Sequence, residues 1–370
     1  MSGLSRFLTG RRPRVSHSRG ARKARHGWPY RGSPLRFEWL EDRTVLSTFL
    51  VDNLQDSGSG SLRAAIQLAN ANSQADTIVI AKTLAYGTIN LQSALPSLTG
   101  VLDIEAPVID SGPSVTVARA NSDQDFRIFT ISSEDANVTI TGLNITQGKF
   151  SSDESSAGGG ILNNGHLTLR SVGVIDNESS SSTLSQGGGI ANNGYLSMEG
   201  CLVRGNGAGD FTPLTWSGDP WESEHWALIQ HMLGGHDSVP PATGGGIYNR
   251  GVLQITDSVI DSNFARDGGG IKNDEGHVSL IRTTVSNNSS GGDGGGIWNK
   301  GQTSYLSIQD SNVFSNSANG YGGALYNEGT LEVFGSAFYG NDAHLAQGGG
   351  GSWLCWMTGN GYRTSLRGIL

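Results

Sequence analysis

Gly268-Gly-Gly-Ile-Lys-Asn-Asp-Glu-Gly-His-Val-Ser-Leu-Ile-Arg-Thr-Thr-Val-Ser-Asn-Asn288 decides the fold, because the chain writes it six times. The opening glycines recur as Gly158-Gly-Gly-Ile161, Gly187-Gly-Gly-Ile190, Gly244-Gly-Gly-Ile247, Gly294-Gly-Gly-Ile297 and Gly322-Gly-Ala-Leu325. Two residues after each Ile or Leu stands an asparagine: Asn163, Asn192, Asn249, Asn273, Asn299 and Asn327. Downstream, an apolar column reads Leu167, Leu196, Leu253, Val278, Leu306, Leu331, and a second reads Val174, Val203, Ile260, Val285, Val313, Phe338. Three residues beyond that comes Asn177, Asn206, Asn263, Asn288, Asn316 or Asn341. Self-similarity at 24 to 29 residues marks a repeat architecture.

Period-two alternation gives each short strand one inner face. Such strands, separated by Gly and Asn corners, bury that face only by stacking coil on coil, ~4.8 Å apart. The expected class is all-β: a right-handed parallel β-helix with a short N-terminal capping helix. Glycine supplies positive φ at corners, and asparagine tolerates it. A stacked amide column can also hydrogen-bond along the axis, so both asparagine columns are read as a structural ladder. Cys201 shares a small inward column with Val172, Ser258, Thr283, Ser311 and Ser336, which makes it a core thiol.

Composition agrees and excludes other classes. The 370 residues include 55 glycines without a three-residue period, so collagen is excluded. Two cysteines make neither a disulfide framework nor a zinc site. Residues 1–47 hold eleven Lys or Arg against three acids, leaving the remainder near −16 for a whole-chain charge of −8. An acidic body argues against nucleic acid as a partner, and no stretch approaches the ~18 apolar residues of a membrane helix.

The domain reading follows. Residues 1–47 form a basic arm without hydrophobic periodicity, expected to be disordered and lacking the apolar core of a secretory signal. Residues 48–100 form a cap: Ser61 caps a helix whose Leu62, Ala65, Ile66 and Ala69 share a face, Asn70 or Asn72 ends it, and Asp76–Ile80 follows as a strand. The parallel β-helix covers 101–350, and 351–370 form an atypical tail. After Gly348–Gly351 the tail fits no repeat column, as a truncated or frame-shifted reading frame would leave it. An insert at 207–243 doubles one repeat; its Asp219-Pro-Trp-Glu222 predicts a helix over 220–233.

Three motifs carry resemblances. Leu40, Glu41, Arg43, Leu46 and Ser47 resemble the LExRxxLS motif of many planctomycete surface and exported proteins. The SLRxAIxxAN series from Ser61, with the following Asp76-Thr-Ile78, resembles the capped start of bacterial surface β-helix proteins. The GGxI and apolar-x-x-Asn pair resembles repeats of chlamydial polymorphic outer-membrane proteins across about 140–347. These resemblances imply a pectin-lyase-like solenoid, export, and an extracellular, cell-surface or outer-membrane-associated location. The chlamydial relatives end in a membrane β-barrel, and no run of alternating strands for one is present here.

Two places offer chemistry. One column reads Ala157, Gln186, Thr243, Asp267, Asp293, Tyr321, so Asp267 and Asp293 are predicted neighbours near Arg266 and Lys272. Two close carboxylates raise one pKa or recruit a cation such as Ca²⁺, and polysaccharide-cleaving enzymes of this fold use carboxylates so. The plainer reading is a pair of turn aspartates. No third carboxylate joins them, and no metal site or other cofactor is expected. The insert gathers Trp216, Trp221 and Trp226 with His225, His231 and His236. Its rings suit glycans or partner surfaces, though Trp221, Leu228 and Met232 also suit packing on the solenoid flank. The expected function is a non-catalytic, adhesion-like surface protein binding extracellular glycans or surface proteins. The alternatives are a polysaccharide lyase or glycoside hydrolase, and a purely structural envelope component.

Overall fold

A computed structural model describes residues 47–71, 74–120, 124–209 and 241–344. The basic arm, residues 210–240 of the insert with its three tryptophans, and the tail from 345 lie outside the described residues. Among those described, a single α-helix, Leu62–Asn70, precedes a parallel β-helix of about nine turns.

Four stacks of strands build the wall. Face I has ten strands, from Ser47–Val51 to Thr330–Phe334, and face II has nine, from Thr88–Leu91 to Ala337–Tyr339. Face III has seven, from Lys149–Ser152 to Asp342–Ala343. Face IV has seven, from Phe129–Ile131 to Leu325–Asn327, and carries the Gly-Gly-Ile strands. A small three-stranded arm sheet, Ser155–Ala157, Leu184–Gln186 and Ala242–Thr243, flanks face III. The wall pairs in parallel and in the register of the repeats: Leu167 faces Leu196, then Leu253, Val278, Leu306 and Leu331. Inward columns are sealed; Leu167, Leu196, Leu253, Leu280 and Ile308 are wholly buried, each contributing roughly 1.5–3 kcal/mol.

The helix buries the four residues its periodicity selects, Leu62, Ala65, Ile66 and Ala69, against the first two strands of face I. The Ser61 hydroxyl accepts the Ala64 N–H at 3.2 Å. The helix ends at Asn70, but its C-cap is Ala71 in a right-handed conformation. Asn70 instead donates its side-chain amide to the Ser97 carbonyl at 2.6 Å, tying the helix to the coil above.

The asparagine columns run along the axis as read. Side-chain amides of Asn163, Asn192, Asn249, Asn273, Asn299 and Asn327 form one chain of bonds with lengths from 2.6 to 2.8 Å. Asn177, Asn206, Asn263, Asn288, Asn316 and Asn341 form a second at 2.9 to 3.0 Å. In the second, each Oδ1 after the first also accepts the backbone N–H of the preceding asparagine, that of Asn177 taking the Gly148 N–H instead, and each Nδ2 reaches a face II carbonyl of the coil below. Every buried donor and acceptor of the amide is thereby used.

The corners differ from the sequence reading. None of the ladder asparagines has positive φ. The left-handed corners are held by the first glycine of each triplet and by residues between the faces: Ser171, Asp257, Arg282 and Asp310 after face I, and Asp176, Ser262, Asn287 and Ser315 after face II. Left-handed backbone costs an L-residue ~1–2 kcal/mol. Coil-to-coil bonds hold it in place, such as Arg282 N–H to the Gln309 carbonyl at 3.0 Å. The second glycine of the triplet serves closeness instead. A Cβ on Gly269 would lie 2.3 Å from the Ser289 carbonyl oxygen, so faces IV and III touch backbone to backbone.

Candidate functional site

The predicted carboxylate pair is real and is put to use. Thr243 bridges Asp267 on the next coil, and the Gly268 N–H donates to the Asp293 carbonyl at 2.9 Å, so the column stacks as aligned. The Asp293 N–H donates to Asp267 Oδ1 at 3.2 Å, and the Tyr321 N–H to Asp293 Oδ1 at 2.8 Å. Each carboxylate thus clamps the backbone of the coil above. Glycine is required above each of them: a Cβ at Gly292 or Gly320 would lie 2.4 or 2.3 Å from those oxygens. Ca²⁺ takes six to eight oxygens. Among the described residues no cluster of three or more acidic, His or Cys groups gathers at the pair.

Beside the pair lies a row that the sequence reading passed over. The residue between Ile and Asn in each face IV strand points outward, and over four coils it is Tyr248, Lys272, Trp298 and Tyr326. Lys272 is only 4% exposed, with Nζ 3.8 Å from the Trp298 ring centre; Lys300 Nζ approaches the same ring at 5.5 Å. Trp298 tilts against Tyr326 at 5.9 Å, and its indole N–H is buried with no hydrogen-bond partner among the described residues. Burial lowers the Lys272 ammonium to about 8; Asp267 pulls it back up and Lys300 pushes it further down. The Tyr248 hydroxyl donates to Asp274 Oδ2 at 2.7 Å, and burial together with that carboxylate raises its pKa. Period two could have exposed this row, but its first members, Leu162 and Ala191, disguise it as an apolar column.

Face I carries a second overlooked feature. His166 and Tyr195 sit on adjacent coils with ring centres 5.8 Å apart and planes tilted by 33°. Three coils after His166, His277 and Tyr305 repeat the arrangement at 5.9 Å and 33°. Each tyrosine hydroxyl bonds onward at 2.8 Å, Tyr195 to Gln254 Oε1 and Tyr305 to Glu332 Oε2. The signal was the column His166, Tyr195, Val252, His277, Tyr305, one residue before the apolar column that fixed the fold.

Near face III, Ser151, Ser152, Asp153, Ser180, Ser181 and Ser182 line an open cavity of about 350 Å³. Its hydroxyls brace neighbouring coils: Ser182 donates to the Asp153 carbonyl at 2.6 Å and Ser151 to Asp125 Oδ2 at 2.6 Å. Trp216, Trp221, Trp226 and the three insert histidines lie outside the described residues; Gly209 and Pro241 bound that segment. Cys201 is 3% exposed, and burial raises its thiol to about 11, as a core thiol requires. No protein-family model matches the chain, and no curated protein matches it.

Proposed function

We propose that this chain is a non-catalytic β-helix protein, secreted or displayed at the cell surface, that binds extracellular glycans or partner proteins along its flank. The observation that carries this reading is face I, ten parallel strands in unbroken register. Its outward residues are largely polar and solvent-facing, including His166, Gln254 and His277. A rigid sheet with repeated outward chemistry is a display surface, since every coil offers the same geometry to a long partner. The export-type motif and the acidic body support the location. The reading requires no cofactor.

A second reading, a polysaccharide-cleaving enzyme, is favoured by one observation: Lys272, with an amine near neutrality, beside Asp267. The test incubates the purified full chain with neutral and acidic polysaccharides, with and without Ca²⁺. It measures bound polymer, new reducing ends and unsaturated uronates. Binding without cleavage is the expected result. Cleavage abolished by Lys272→Met or Asp267→Asn would overturn the non-catalytic reading in favour of the enzyme. Neither binding nor cleavage by folded protein would leave a purely structural envelope component.

A further inference from the structure

We infer that the two His–Tyr units of face I, His166–Tyr195 and His277–Tyr305, are paired subsites for one extended, uncharged polysaccharide lying along the β-helix axis. The inference rests on the proposed glycan-binding role and names the surface and ligand class for it.

Duplication is the first argument. Tyr195 follows His166 by one coil, and Tyr305 follows His277 by one coil, with ring separations of 5.8 and 5.9 Å and the same 33° tilt. Both phenols are oriented by a 2.8 Å bond to an amide or carboxylate oxygen on the adjacent strand. A phenol that donates there still presents its oxygen lone pairs outward as acceptors. The imidazoles are exposed. Neither unit contributes to the core, and neither is needed to close the coil.

Spacing is the second. Corresponding residues are three coils apart, about 14 Å at the ~4.8 Å strand spacing. A β-linked pyranose chain in its extended form advances by close to one sugar per strand spacing. Such a polymer would therefore bring a sugar ring to each unit, three residues apart along its chain.

Charge is the third. Val252 stands between the units, and alongside them runs an outward row of hydroxyls and one amide: Thr139, Thr168, Ser197, Gln254, Ser279 and Ser307. It carries no cation to hold an acidic polymer. Arg170, at the far end of the His166 strand, stands beside Glu199 at 3.8 Å, and Arg250 lies two residues before Val252, off the row. Hydroxyl donors and acceptors with flanking rings complement neutral sugars.

Two linked subsites bind one polymer with avidity, so losing either costs more than its own contacts. The full chain is run in affinity gels containing hydroxyethylcellulose, with carboxymethylcellulose as the anionic polymer of the same backbone. Wild-type protein is expected to be retarded by the neutral polymer and less by the anionic one. Tyr195→Ala or Tyr305→Ala should each weaken retention roughly 10-fold or more, and the double variant should abolish it. Tyr195→Phe/Tyr305→Phe, which keeps the rings on a surface that folds without the hydroxyls, should fall between. Retention undiminished in the double alanine variant would overturn the paired subsites while leaving glycan binding elsewhere intact. Stronger retention by carboxymethylcellulose would overturn the uncharged ligand class. No retention by either neutral or anionic polymer, in this assay and the polysaccharide panel alike, would overturn both the subsites and the function they rest on.

Discussion

The amide ladder through Asn263 and the carboxylate pair Asp267–Asp293 sit a few residues apart in sequence and do the same job, yet one spans six coils and the other two. In both, a side-chain oxygen accepts a backbone N–H from a neighbouring coil: Asn263 Oδ1 from Asn206 at 3.0 Å, and Asp267 Oδ1 from Asp293 at 3.2 Å. The amide also donates. Asn263 Nδ2 reaches the Val203 carbonyl at 3.0 Å and Asn288 Oδ1 at 2.9 Å, so each link creates the acceptor the next one fills. A carboxylate only accepts, and stacking another above it adds like charge. The amide column is therefore buried and propagates, whereas the carboxylate column is half-buried and ends at Tyr321.

Asn263→Asp breaks this difference most directly. The new carboxylate removes both donors, leaving the Val203 carbonyl and Asn288 Oδ1 facing a buried negative oxygen. The expected cost is roughly 3 kcal/mol or more, read as a lowered urea midpoint. Burial raises the pKa of such a carboxyl above its unfolded value. The penalty is thus fully present above the folded pKa and shrinks as pH falls and a proton restores one donor. A stability gap to wild type that widened on acidification would refute the account.

The ladder also shows how far sequence could carry the reading. The parallel β-helix was legible because each coil must satisfy the same constraints. Leu253, Asn263 and Gly269 are columns of identical chemistry, and repetition makes their spacing visible. The corners were misread. Positive φ falls on Ser171, Asp257 and Arg282, not on the ladder asparagines, because coil-to-coil bonds set backbone conformation there against local preference. The outer rows stayed hidden for another reason. Outward positions vary freely, so Lys272 meeting Trp298, or His166 meeting Tyr195, emerges only when neighbouring coils are laid side by side. Asp267 and Asp293 were placed together correctly, but their backbone partners, which give the pair a structural task, are invisible in a string of side chains.

Lys272 sharpens the contrast from beside the pair, since it is a buried charge without a ladder. Its amine is lowered from 10.5 to about 8, so below pH 8 the fold bears the cost of a desolvated ammonium. Between pH 8 and 10.5 the unfolded chain holds a proton that the folded chain has released, and stability rises with pH across that window. Lys272→Met should therefore stabilise the protein near pH 7 by up to ~3 kcal/mol, less the lost cation–π contact of about 1–2 kcal/mol. The advantage should fade by pH 10.5. Melting temperatures of both proteins from pH 6.5 to 10.5 check the sign; an advantage that grew with pH would contradict the burial argument.

Asp267→Ala tests whether a clamp of charge is worth as much as a clamp of amide. It removes one acceptor at a half-exposed site where water can replace it, so the expected loss is about 1 kcal/mol. Asp267→Asn keeps the acceptor and gives up only the attraction to the Lys272 ammonium, so it should lie within ~1 kcal/mol of wild type. A loss from Asp267→Asn as large as that from Asn263→Asp would mean that the charge itself, and not the accepted N–H, holds the coils.

The third small column offers the finest test, because there the protein already uses two chemistries at one position. Its hydroxyl members form a ladder of their own: the Cys201 N–H donates to Ser258 Oγ at 3.0 Å, Thr283 to Ser311 at 3.0 Å, and Ser311 to Ser336 at 3.1 Å. Cys201 sits at its lower end with Sγ 3.4 Å from the Leu169 and Glu199 carbonyls, the same kind of acceptors that Ser258 and Ser311 Oγ find. A serine there would donate to one of those carbonyls and leave the chain's register unchanged. Cys201→Ser is therefore expected to move stability by less than about 1 kcal/mol, a weak S–H donor being exchanged for a stronger O–H one in a slightly smaller volume. With the other cysteine, Cys355, replaced by serine, the same burial makes the Cys201 thiol a reporter. With its pKa raised to about 11, it should resist a maleimide at pH 7.5 until the coils open, so that its labelling rate in rising urea follows their separation. Rapid labelling in native buffer would show that this part of the ladder opens on its own, and a large loss from Cys201→Ser would show that the thiol fills space a hydroxyl cannot.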